Sequence, residues 1–149
     1  MPREARAKPP EKLSLVVFSG DYDKVHYALS MASAALAVNR PATLFFTMEA
    51  IRGLAKPGPD GGPGWGALRC GDGGSGAARD RDYRDRGVAT FEELMDACVE
   101  LGARFMVCEM GLRAVGLTAA DLRDDIGFSQ GGLVTFLNDA SADGAVVFI

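Results

Sequence analysis

The chain has 149 residues, 48% of them hydrophobic and 24% charged, which is ordinary globular usage and enough for one domain with its own core. Its formal charge of −4 excludes a phosphate-backbone partner, because nucleic-acid binders present a clustered basic face. The one basic cluster, Arg3, Arg6, Lys8 and Lys12, is diluted by Glu4 and Glu11, has no apolar stretch behind it, and reads as a flexible tail over residues 1–12.

From Lys12 to Phe18 runs an apolar segment rich in β-formers, and Ser19-Gly20-Asp21 after it reads as a turn with Asp21 capping a helix. That helix carries Val25, Leu29, Ala32 and Leu36 at helical spacing and ends before Pro41, where the strand Ala42 to Thr47 begins. Thr90 with Glu93 three residues on is a capping box, and Phe91, Leu94, Cys98 and Leu101 form the stripe of the helix it opens. Gly102 closes that helix. Strand Arg104 to Cys108 follows, then a short helix from Gly111 to Val115 and a turn from Thr118 to Leu122. Ile126 to Phe128 reads as a short strand, Gln130 to Ala140 as a helix, and Ala145 to Ile149 as the last strand. Strands alternating with helices predict an α/β fold, a single three-layer sandwich over residues 13–149 with a mostly parallel five-stranded sheet. Right-handed crossovers then set Gly20, Thr47 and Cys108 along one sheet edge. No apolar run is long enough to span a bilayer, so a cytoplasmic protein without a membrane partner is expected.

Residues 53–87 interrupt the pattern. Ten glycines lie between Pro57 and Gly87, with five Arg and five Asp that cancel, and Trp65, Leu68 and Tyr83 are the large apolar anchors. Such a stretch buries too little surface to offset its ordering entropy, so a mobile loop is expected, either a lid or a disordered insertion, with room for a short helix near Trp65. Gly71 to Gly76 satisfies G-x-G-x-x-G, but neither Ala67 to Cys70 before it nor Ala77 to Asp80 after it reads as the strand and helix that a dinucleotide site needs; no cofactor is predicted from it.

Three cysteines without an export signal argue for reduced thiols. There is no Cys-x-x-Cys pair and only one histidine, so no metal site is predicted. Cys98 falls on a helical stripe and reads as a small core residue. Cys108 ends a strand, where chemistry gathers in open α/β sheets, and a following helix would favour its thiolate. Equally, strand-end cysteines are often buried structural residues. Cys70, in the Gly-rich stretch, reads as an exposed thiol able to resolve an adduct on Cys108. His26 reads either as a solvated helix position or as a base beside Cys108. Gly20 and the pair Gly131-Gly132 offer bare N–H groups to an anion, with close packing of helix on sheet as the other reading for the pair.

Leu13-Ser14-Leu15-Val16-Val17-Phe18-Ser19-Gly20, Arg104 to Met110, Gly131 to Leu137 and Ala145 to Ile149 together resemble the DsrE/DsrF-like proteins. The likeness runs from Leu13 to Ile149 outside the Gly-rich stretch. It implies small oligomeric sulfur carriers, trimers or multiples of them, holding a persulfide on a cysteine at the end of the middle strand. Cys108 alone matches that position, while Glu109-Met110-Gly111 is similar to a Cys-x-Met-small branch of unsettled activity. The expected function is therefore sulfur carriage or thiol chemistry at Cys108, with sulfur donor and acceptor proteins or a low-molecular-weight thiol as partners. The alternative is a non-catalytic oligomeric protein binding a nucleotide-like or thiol ligand at the sheet edge.

Overall fold

The structure, a computed structural model, describes residues 6–149; the tail residues Arg3 and Glu4 lie outside the described residues. Five strands, β1 (Leu13–Val17), β2 (Ala42–Phe46), β3 (Arg104–Cys108), β4 (Phe128–Gly131) and β5 (Ala145–Phe148), form one sheet in the order β4-β3-β2-β1-β5. Every pairing is parallel. The central strands β1, β2 and β3 are buried almost throughout, as continuous apolar runs covered on both faces should be.

Alternation along the strands divides the core in two. Leu15, Val17, Leu44, Phe46, Phe105 and Val107 face a large cluster built with α1 (Tyr22–Ala37) and α3 (Phe91–Glu100). Val16, Phe45, Met106 and Cys108 face the other way, into a small cluster closed by Phe136 of α5 (Leu133–Asp139).

Local chemistry accounts for the helix ends. Asp21 accepts the Asp23 N–H at 2.8 Å and starts α1, and Thr90 with Glu93 forms the expected capping box of α3. Gly102, at φ 87°, turns the chain from α3 into β3. The buried stripe of α3 is Phe91, Met95 and Cys98; Leu101 is exposed, because it stands one position past the helix, outside the packed face. The fourth strand starts two residues later than expected, since Phe128 to Gly131 pair with β3 while Ile126 packs into the main core.

The stretch 53–87 differs most from expectation. The chain leaving β2 runs as a 3-10 helix (Met48–Leu54), a second 3-10 turn forms at Gly64–Ala67, and a regular helix α2 spans Gly76–Asp85. Few apolar side chains suffice to dock it because polar groups complete the packing. Trp65 stacks on Phe91 at 4.9 Å while its indole N–H donates to Glu92 at 2.8 Å. Arg123 grips the same Glu92 with two bonds, of 2.8 and 2.9 Å. Asp80, buried under α2, accepts the Tyr22 hydroxyl and the Phe91 N–H. The end of the tail is docked too: Glu11 donates its N–H to Asp143, and Lys12 pairs with Asp139.

Candidate functional site

The carboxyl ends of β1, β2 and β3 line up along one edge, where Gly20, Thr47 and Cys108 sit as expected. The Gly20 position approaches the Met48–Leu54 turn so closely that a Cβ would stand 2.8 Å from Cβ of Glu49. Its glycine is therefore required by packing. The N–H groups of α1 beyond it are taken: Tyr22 donates to the Arg69 carbonyl, Asp23 to its own cap, and Lys24 and Val25 to the Asp21 carbonyl. These four helix N–H groups are therefore not offered to an anion.

Cys108 occupies the cap position of α4 (Glu109–Ala114). Its side chain belongs to the small cluster under α5, beside Met106 and opposite Gly131 in the register, and is 1% exposed. Gly111, three residues on, packs against the end of β2, so that a Cβ there would stand 2.7 Å from both the Met48 nitrogen and Thr47 Oγ1. This contact locks the turn that carries Cys108 to the neighbouring strand. Gly131 is likewise a packing glycine, its Cβ position 3.0 Å from Cβ of Thr135 on α5. Gly132, the cap residue of α5, faces open space.

The residues proposed to assist Cys108 are elsewhere. Cys70 and His26 pack in the layer of α1, α2 and α3, with the sheet between them and the small cluster that holds Cys108. Cys70 is 5% exposed, not an open thiol, because its loop folds back through Cys70 N–H to Gly74 and Gly73 N–H to Cys70. Burial pushes its thiol up, against the opposing pull of the Arg79 guanidinium. His26, 6% exposed, shares its Nε2 with the Ala89 carbonyl at 2.8 Å and lies edge-on to Tyr83 at 4.8 Å. Cys98 is a core residue as read, its thiol pushed up to about 11 by burial.

A polar cluster around α2 was not legible beforehand. Tyr83 donates to Asp23 at 2.5 Å, and burial with that bond pushes its hydroxyl up to about 12. Arg79 bridges Asp23 and Asp72, at 3.4 and 2.7 Å. The signal existed in the spacing of Asp80 and Tyr83, one helical turn apart, but a stretch so rich in glycine masks it. Among the described residues no group of three His, Cys, Asp or Glu side chains is placed to hold a metal ion, and no helix is long and apolar enough to cross a membrane.

A parallel order of β4-β3-β2-β1-β5 with a cysteine closing the interior strand β3 agrees with a family match: residues 12–148 match the model of the DsrE/DsrF-like family. The chain belongs to that family. The uncharacterized protein YrkE of Bacillus subtilis (strain 168) is 26% identical to this DsrE/DsrF-like chain over 157 residues, covering 93% of the chain and 97% of YrkE. Two solved structures share the fold: MTH1491 of Methanobacterium thermoautotrophicum, of unknown function, and the ychN protein of E. coli. Their TM-scores are both 0.55, at 13% and 17% identity, with 93% of this chain covered and 98% and 99% of theirs.

Proposed function

We propose that this DsrE/DsrF-like protein carries sulfane sulfur on Cys108. One observation supports the reading above the rest: the cysteine closes β3, an interior strand of the sheet, at the carboxyl edge where ligands meet open α/β folds. The Cys108 thiolate attacks the outer sulfur of a donor persulfide, R–S–SH. A new S–S bond forms on Cys108, the donor's S–S bond breaks, and R–S⁻ leaves while the proton stays on the transferred sulfur. Transfer to an acceptor thiolate is the same exchange in reverse, with no net oxidation. Because Cys108 is covered by the α5 cluster, the exchange requires α5 to move aside. Donor and acceptor are proteins or a low-molecular-weight thiol, and the working form is a homo-oligomer, a trimer or a multiple of one.

The test is intact-protein and peptide mass after incubation with inorganic polysulfide. A gain of one sulfur on Cys108, absent in Cys108→Ser and removed by dithiothreitol, is expected. Uptake on Cys70 or Cys98 alone, or undiminished uptake in Cys108→Ser, overturns the carrier reading.

A second reading is favoured by the burial of Cys108 together with open cavities that it does not line: an oligomeric binding protein for a nucleotide-like or thiol ligand at the sheet edge.

A further inference from the structure

The chain leaves β1 for β2 through α1 on one face of the sheet and leaves β4 for β5 through α5 on the other. Strands β1 and β5 are parallel neighbours, and at their carboxyl ends the chain leaving β1 turns through α1 toward β2, away from β5. A crevice opens at that place. One cavity of about 540 Å3 is walled by Phe18, Phe148, Ser19 and Lys24, and a second of about 530 Å3 continues from it through Ser19, Gly20 and Glu49 to Arg69. Each is of ligand size.

The walls are of two kinds. Phe18 and Phe148, 42% and 67% exposed, form a tilted pair with centroids 5.1 Å apart, a platform for a planar ring. The charged groups leave a positive surplus. Glu49 is held by Arg52 at 2.6 Å, and Asp21 caps α1 while keeping its own negative charge, which leaves the lining side chains one positive charge in excess. Lys24 and Arg69 have no carboxylate partner among the described residues. Neither cavity is lined by Cys108.

We propose that this crevice at the carboxyl ends of β1 and β5 binds a planar aromatic anion, its ring on Phe18 and Phe148 and its anionic group drawn to Lys24 and Arg69. The inference deepens the second reading above by naming the site and the ligand chemistry, and it is independent of sulfur carriage. A nucleotide and a simple aryl carboxylate share that chemistry.

Amide NMR spectra of the full chain, titrated separately with AMP, benzoate, adenosine and inorganic phosphate, test it. Saturable shifts at Ser19, Gly20, Lys24 and Phe148 with AMP or benzoate are expected, the stronger of the two identifying the source. Lys24→Ala and Phe148→Ala should each weaken binding roughly tenfold, while Cys108→Ser leaves it unchanged. Lys24 is an exposed side chain, so its variant keeps the measurement valid should Phe148→Ala fold poorly. Saturable shifts confined to another surface overturn this site and keep the binding-protein reading. No saturable shift with either anion overturns both. Equal affinity for phosphate and AMP, or shifts at these amides that follow protein concentration without ligand, also overturn the proposal, the last by making the platform a contact between copies.

Discussion

At the scale of single residues, glycine and one aspartate carry the consequences. Gly111→Ala forces a methyl against the Met48 nitrogen and Thr47 Oγ1, both fixed by the end of β2, so neither can yield without moving the sheet edge. Urea unfolding should show a loss of roughly 1–3 kcal/mol. Asp139 gathers Lys12, Thr43 and Arg104 around the end of α5. Partial burial works against its charge, yet the bonds from Lys12 and Thr43 and the nearby cations outweigh it and hold the carboxyl below its usual range. A carboxyl depressed in the folded state stabilises fully above its unfolded value, about 3.9, and that stabilisation is lost as pH falls through the lower folded value. Asp139→Asn should therefore cost on the order of 1–2 kcal/mol near neutral pH and flatten the acid limb of a stability curve below about pH 4. An acid limb identical to wild type would show that the cluster around Asp139 has no energetic role.

At the scale of elements, the Gly-rich stretch is held by a few polar clasps in place of a broad apolar face. Trp65, Glu92 and Arg123 join the second 3-10 turn, α3 and the segment before β4. Arg123→Ala should free that turn, seen as several-fold faster tryptic cleavage at the exposed Arg69 and a red-shifted Trp65 emission. Unchanged cleavage would mean that α2 and Asp80 hold the stretch without the clasp. Helix α5 is the opposite case. It buries Phe136 alone among its residues, while Leu133, Val134 and Leu137 are exposed, so it covers Cys108 with little packing of its own.

For the whole molecule, the two sheet faces are unequally dressed. Helices α1 and α3 cover one face with a large core, whereas α5 leaves Val146 and the outward side of Leu133, Val134 and Leu137 open. An apolar surface of this kind, next to the edge strand β5, needs a partner. A homo-oligomer is the expected occupant, and light scattering at micromolar concentration should give a trimer or a multiple. Val134→Glu with Leu137→Glu should reduce it to a monomer, and a wild-type monomer would refute the assembly.

The amino-acid order alone determined the alternating plan, the caps at Asp21 and Thr90, the glycine stop at 102 and the strand that ends on Cys108, because each of these rests on local periodicity or on a side chain bonding its own backbone. Composition misjudged the stretch 53–87. Its order comes from Glu92, Arg123 and Tyr22, residues distant in sequence, and no local pattern announces partners supplied from elsewhere. The same holds for the site. That Cys108 stands at the sheet edge follows from the chain, but the face it points to depends on strand parity and on which helix covers that face. Tertiary structure alone decided that Cys70 and His26 lie beyond the sheet from it, and that the open crevice belongs to β1 and β5, since these strands, far apart in the chain, become neighbours only once the sheet is assembled.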